Sequence, residues 1–391
     1  MPAHSGKAAL YAGAGAELVH YEVDAAGSAL IRRGAVALPA NVQYAWPHRS
    51  GQFLYVASSN GGPGKSGDQH YVSAFRIAAS GALTAHGAAV KLRARPLHLA
   101  TDIPSAHLLI AYNLPSSLTV HRINADGTLG DEVAQPAPRD TGIYAHQVRV
   151  DPSNRFAMLV TRGNSAAGGK PEDPGALKLF DYRDGVLTNR LSFAPHGGYG
   201  YGPRHLDFHP DGPWLFVSLE RQNKLCVYKW RSAPAAPQLL FTRETLIDAG
   251  HARPPQAQLA GTLHVHPNGR TVYVANRASS TTEVAGQKVF AGGENNIAVY
   301  AFNPATGEPS LIQHIDTRGL QPRTFALDPS GSMLVVANAI SLKVQDRANV
   351  ATVPASLAVF RVGDGGRLDY VRKYDVEAGG ATLFWMGMVG L

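Results

Sequence analysis

Apolar and polar residues alternate in short runs along this chain and rarely keep any other rhythm. Stretches such as "LHVHPNGRTVYVANR" place apolar side chains at every second position on both sides of a Pro-Asn-Gly turn. That is the pattern of two antiparallel strands with a buried face. No long run carries apolar residues at i, i+3, i+4 and i+7, so strands rather than helices are expected. The turn recurs at Pro104, Pro152, Pro210, Pro267 and Pro329, in steps of 48, 58, 57 and 62 residues, and a sixth copy, "AWPHRSGQFLYVASS", aligns through Gly51. Each turn is followed by a second strand, a loop and a third strand ("SAFRI", "LTVHRI", "LKLFDY", "KLCVYKW", "IAVYAF", "LAVFRV"). A Gly- or Asp-rich turn and a fourth strand complete the copy. Four strands per repeat at this period describe a propeller blade.

Six copies leave two fragments. The N-terminal "ALYAGAG", "ELVHYEV" and "LIRRGAV" read as strands two to four, and the C-terminal "ATLFWMGMV" reads as a first strand. Joined, they make a seventh blade that closes the ring and leaves no open sheet edge. The sequence therefore predicts an all-β, seven-bladed propeller forming one domain over residues 1–391, with four-stranded blades and both chain ends in one blade. Three connections after second strands are long, Gly163 to Gly175, Ala278 to Glu294 and Ile340 to Ala355. Long loops gathered on one face are where binding resides.

Composition narrows the function. The 41 glycines, 26 prolines and 17% charged residues suit a turn-rich folded chain rather than a disordered one. Cys226 is the single cysteine and sits in a strand-like alternation. An intrachain disulfide is excluded, which suits a reducing compartment. The N-terminus shows no apolar stretch of signal-peptide length, and no segment approaches the roughly 20 apolar residues of a membrane span. A cytoplasmic protein without a membrane partner is expected. The net charge is +7, but no dense Lys/Arg run or basic-aromatic ladder points to nucleic acid. A small anionic substrate fits the charge better.

The candidate chemistry comes from positions that should be apolar in a packed β-core and are not. Six residues before each turn proline stand His98, His146, Arg204, Gly261 and Arg323, with Gln43 from the glycine-aligned copy. Ten residues after it stand Leu114, Arg162, Glu220, Arg277 and Ala339, with Ser59 from the first copy. In a propeller both sets face one channel mouth. They assemble His146, Arg162, Arg204, Glu220, Arg277 and Arg323 into one candidate site: a carboxylate among guanidiniums suited to carboxylates, phosphates or oxyanions, beside an imidazole that can move a proton. Gln43, His98 and His205 are expected to add substrate contacts. The alternative is a set of inter-blade ion pairs filling the channel. "HVH" (His264, His266) and "RHLDFH" (His205, His209) resemble metal-ligand pairs, but His209 and His266 stand at equivalent places beside the turn, where a hydrogen bond between blades is the commoner use. No metal or cofactor is expected.

At these residues the chain resembles the seven-bladed propeller lactonases, a family that includes bacterial 6-phosphogluconolactonases and a fungal carboxy-cis,cis-muconate cyclase. The resemblance is strongest in "GYGPRHLDFHPDGPWLFVSLERQNKLCVY", "HVHPNGRTVYVANR" and "QPRTFALDPSGSMLVVAN". It implies catalytic roles for His146, Arg204, Glu220 and Arg277. The expected reaction is metal-independent hydrolysis of an anionic sugar-acid lactone. Glu220, with His146, would activate water, Arg204 and Arg277 would hold the carbonyl oxygen, and Arg162, Arg323 or His98 would grip a substrate anion. Two alternatives stay open: a cycloisomerase that closes a muconate-type diacid to a lactone, and a non-catalytic propeller that binds a protein. No obligate protein partner is inferred.

Overall fold

The structure is a computed structural model describing residues 7–230, 236–248, 250, 257–346, 349–377 and 382–391. Seven antiparallel sheets form a ring of four-stranded blades, the outer strand of the first being split into two short strands, Leu83–Ala85 and Val90–Lys91. In chain order the first six begin with inner strands Val42–Pro47, Pro96–Thr101, Ala145–Val150, Pro203–Phe208, Gln258–Val265 and Pro322–Leu327. The seventh takes its inner strand, Leu383–Gly390, from the C-terminus and its other three, Ala8–Ala14, Glu17–Asp24 and Ala29–Ala37, from the N-terminus. The expected closure is present: Leu10 pairs with Met388 and Ala12 with Met386.

Burial falls from axis to rim, which explains the sequence patterns. In the fourth blade every residue of the second strand Trp214–Leu219 is buried, while the fourth strand Gln238–Glu244 is largely exposed. Second strands thus read as continuous apolar runs, and outer strands as alternation or as polar segments. One apolar cluster fills each gap between blades. Tyr273 and Ile297 of blade five meet Phe325, Leu334 and Val336 of blade six. Leu10 and Ala12 of blade seven meet Met333 and Val335.

Hydrogen bonds staple neighbouring blades. Tyr55 Oη donates to Gly127 O (3.1 Å) and Tyr273 Oη to Gly366 O (2.9 Å). His209 and His266 act in the same way: each Nε2 lies 2.9 Å from a carbonyl of the next blade's turn, Gly269 O and Gly331 O. Each Nδ1 accepts a backbone N–H, from Asp211 and Asn268 respectively. Both ring nitrogens of both histidines are therefore committed to structure.

Two of the long connections contain strands the sequence did not reveal. Thr281–Val284 pairs with Gln287–Phe290, and Leu342–Asp346 with Asn349–Val353. Lys343 Nζ donates to Gln287 Oε1 at 2.9 Å, tying the two hairpins together. Since each interrupts the passage from strand two to strand three, they stand on the face that carries the channel mouth.

Candidate active site

Each inner strand begins with a β-bulge, and the bulges set the site. Pro203 pairs with Leu219 and His205 with Ser218, leaving Arg204 without a partner position. The same skip leaves Gln43, His146 and Arg323 bulged in blades one, three and six. A bulge turns a side chain away from the regular alternation and re-aims it. Here it delivers Gln43, His146, Arg204 and Arg323 to the channel mouth, while blade five has Gly261, without a side chain, at the irregularity.

His98 departs from this pattern. In blade two the skipped residue is Leu97, and His98 pairs with Ala111. Asp102 shows why. It accepts from His107 N as Asp151 accepts from Phe156 N and Asp328 from Met333 N, so the three aspartates are equivalent. Ile103 then lies between the aspartate and the turn proline, one residue more than in the other copies. Alignment on Pro104 shifts the reading by one. His98 belongs one layer below the mouth with His205, its ring 4.1 Å from that of Tyr44. By the same shift Asn113, not the exposed Leu114, corresponds to Arg162. In blade seven the bulged residue is Phe384.

Glu220 is the centre. It follows the second strand of blade four, and its side chain is only 2% exposed. Arg162 Nη1 donates to Oε2 at 2.7 Å and Arg277 Nη2 to Oε1 at 2.5 Å. Arg204 Nε lies 3.0 Å from Oε1 as an ion pair. The expected constellation of Arg162, Arg204, Glu220 and Arg277 is thus brought into contact from three blades. Gly261 lies beside Arg277 on the same blade, where a Cβ would sit at ordinary contact distance, 3.5 Å, from Arg277 Cδ. Arg323 completes the ring, its guanidinium 3.7 Å from the centre of the Phe384 ring.

His146 is buried beside this cluster, its ring 5.2 Å from His205 and stacked parallel to Tyr144 at 6.5 Å. Its Nδ1 has no hydrogen-bond partner among the described residues. The third face of the mouth was missed in the sequence. Tyr144 holds φ of +60° and lies 3.9 Å under the Arg162 guanidinium. Arg95 donates from Nε to Gln43 Oε1 at 2.8 Å, so Gln43 orients a guanidinium at the mouth. Arg95 precedes the bulge by two, as Tyr144 does in its own blade, so the corrected register finds it.

Electrostatics give each group a distinct state. Burial opposes charge on Glu220, but Arg277, Arg162 and Arg204 hold its carboxyl at about 2. Burial and then Arg277 bring Arg204 down to about 9, which leaves it cationic at neutral pH. Burial, followed by Arg204, Arg162 and Arg323, pushes His146 well below the usual imidazole range, so it is neutral. His205 is lowered by burial and then Arg204, and His98 by burial and then Arg149. Three guanidiniums therefore grip one carboxylate with Arg323 nearby, which leaves the cluster with a surplus of positive charge.

Below lies a second polar layer in which Arg149 Nη1 is 3.2 Å from Asp207 Oδ1 and His264 Nδ1 is 3.7 Å from Asp207 Oδ2. His264 faces the channel while His266 faces the neighbouring blade, so this pair does not converge. Among the described residues no group of three or more His, Cys, Asp or Glu is placed to hold a metal ion.

Residues 7–349 match the family described as Lactonase, 7-bladed beta-propeller. The chain belongs to the seven-bladed β-propeller lactonase family. Curated relatives include the 6-phosphogluconolactonase of Bacillus subtilis (strain 168), 28% identical over 344 residues covering 86% of this chain and 89% of that one. The 6-phosphogluconolactonase of Yersinia enterocolitica is 25% identical over 350 residues, covering 88% and 87%. Among solved structures, a periplasmic gluconolactonase of Pseudomonas aeruginosa superposes with a TM-score of 0.73 at 21% identity, over 98% of this chain and 99% of that one. That likeness carries the fold, and the family membership makes the protein a lactonase.

Proposed function

We propose that this lactonase hydrolyses an anionic sugar-acid lactone, with the Glu220 cluster as its reacting centre. The observation that carries the reading is the surplus of guanidinium around one buried carboxylate, next to a neutral imidazole. The relatives named 6-phosphogluconolactonase support the substrate class.

The electrostatics favour a different division of the proton chemistry. A carboxylate held at about 2 and gripped by Arg162, Arg204 and Arg277 is a weak base. Its role is to hold the guanidiniums in place. The base is His146, neutral at physiological pH and with a ring nitrogen to spare. As water attacks the lactone carbonyl carbon, His146 takes a proton from it, and the carbonyl oxygen becomes an oxyanion facing Arg204 and Arg277. Preorganised cations at the position where charge develops supply the largest share of such catalysis. The intermediate collapses with cleavage of the ring C–O bond. Protonated His146 returns its proton to the departing alkoxide, giving a hydroxy acid. An anionic substrate also offsets the arginine field that suppresses His146, so binding raises the basicity of the catalytic base.

A pH-stat panel of phosphorylated and plain aldonolactones, run beside cis,cis-muconates, tests the reading. Proton release from an anionic lactone above the spontaneous rate is expected. Consumption of muconate with no lactone turnover would assign the cluster to lactone formation instead.

A further inference from the structure

A cavity of about 420 Å³ opens on the same face, between blades one, two and three, and the mechanism above leaves it unused. Arg95 and Tyr144 line it, and Tyr144 is the ring on which Arg162 rests, so the cavity adjoins the reacting centre. Its charge is one-sided. Arg95 and Lys65 contribute cations, Ser66 and Asn113 add neutral donors, and no carboxylate is among its lining residues.

Arg95 is an unusual residue to find there. It is 5% exposed, Nη2 has no hydrogen-bond partner, and it forms no ion pair among the described residues. A buried guanidinium without a counter-ion is costly unless a ligand supplies one. Its geometry is fixed nonetheless. Gln43 Oε1 accepts from Nε at 2.8 Å, and the guanidinium lies 5.6 Å over Phe384, the ring it shares with Arg323. A cation held rigid at this cost and left without an anion is built for one.

Lys65 reaches the cavity from "GGPGKSG" (residues 61–67), the connection after the second strand of blade one. Gly62 and Lys65 exchange backbone hydrogen bonds of 2.8 and 3.0 Å, and Gly64 and Gly67 both adopt φ of +73°. Those left-handed turns need glycine and fold the loop tightly, presenting Lys65 and Ser66 at the rim.

We propose that this cavity is the subsite for a substrate phosphate monoester, with Arg95 as its buried anchor and Lys65 as its rim cation, making both specificity-determining residues. A phosphate monoester carries a charge of about −1.5 to −2 at neutral pH, which matches two cations. A single carboxylate would leave one of them uncompensated. The lactone ring then lies across Tyr144 toward His146, with its phosphorylated end in the cavity. This rests on the lactonase reading and adds to it which end of the substrate the protein recognises.

The test is the ratio of kcat/KM for 6-phosphogluconolactone to kcat/KM for gluconolactone. Arg95→Met is expected to lower the ratio at least about tenfold, mainly through KM, and Arg95→Lys to recover part of it. Lys65→Ala alters an exposed loop residue, so it stays informative if Arg95→Met fails to fold; it is expected to lower the ratio about threefold. A ratio that stays within about twofold of wild type in the variants that fold would overturn the subsite. If wild type turns over neither lactone, the functional reading fails and calorimetric titration with inorganic phosphate judges the cavity alone. Binding by wild type that weakens about tenfold in Lys65→Ala or Arg95→Met supports the subsite, and no binding by wild type up to about 10 mM phosphate overturns it.

Discussion

Glu220→Gln removes one charge and almost no volume, so it isolates what the carboxylate does. In the folded protein burial raises the cost of ionising Glu220, yet Arg277, Arg162 and Arg204 bring it from an ordinary 4.5 to about 2. At about 1.4 kcal/mol per pH unit, that difference is about 3 kcal/mol of stability at neutral pH. The side chain is 2% exposed, so solvent screening takes little from this figure. An independent guide agrees, since removing one partner of a buried ion pair typically costs about 3–5 kcal/mol. The sign follows from a folded-state value below the unfolded one. The stabilisation is fully present above 4.5 and is lost as pH falls toward about 2. Urea unfolding of wild type and Glu220→Gln at pH 7 should therefore differ by about 3 kcal/mol, and the gap should narrow to about half of that at pH 3. Equal unfolding midpoints at pH 7, or a gap that is the same at both pH values, would refute the assignment of Glu220 as counter-ion to the guanidinium cluster.

The pH–rate profile follows from the state of His146. Burial and Arg204, Arg162 and Arg323 hold it well below the ordinary imidazole value, so kcat/KM, corrected for spontaneous hydrolysis, should stay level from pH 8 through 6.5 and decline only in more acid solution. A decline centred at 6.5 or above would contradict that environment. Arg277→Met should lower kcat about 100-fold or more by removing an oxyanion donor, measured with saturating lactone; a loss confined to KM would place Arg277 in binding alone. His266→Ala should cost about 1–2 kcal/mol in thermal or urea unfolding, because the Gly331 carbonyl it bridges loses its donor, while kcat stays within about twofold. Unchanged stability would remove the bridge from the account of blade cohesion.

The ring of blades was legible because it rests on repetition. Pro152, Pro210, Pro267 and Pro329 mark the same turn, and the apolar alternation around each gives the same pair of strands. The closing blade was legible from its two halves. The clustering of the site was also readable, since Arg162, Glu220 and Arg277 occupy equivalent positions in consecutive blades and Arg204 sits at the start of the inner strand beside Glu220. The errors arose where one residue changes the register. Ile103 lengthens one turn, which moved His98 to the mouth in the alignment and hid Arg95. A one-residue slip in a strand exchanges the two faces, so both errors have one cause. Phe384 escaped because the seventh inner strand has no turn proline to align. The hairpins at Thr281–Phe290 and Leu342–Val353 looked like loops because they pack against each other rather than into a blade. The surroundings of Glu220 were less legible. A sequence shows that an acid and several arginines meet, but only distances show that three of them grip the carboxylate, which is what motivates the proposal of His146 as base.

The most direct test is to follow proton release from 6-phosphogluconolactone by wild type and His146→Asn in one pH-stat experiment at pH 7. The site described here predicts turnover well above the spontaneous rate for wild type and a fall in kcat of about 100-fold or more in the variant. Turnover by the variant equal to that of wild type would show that the reaction is carried out elsewhere.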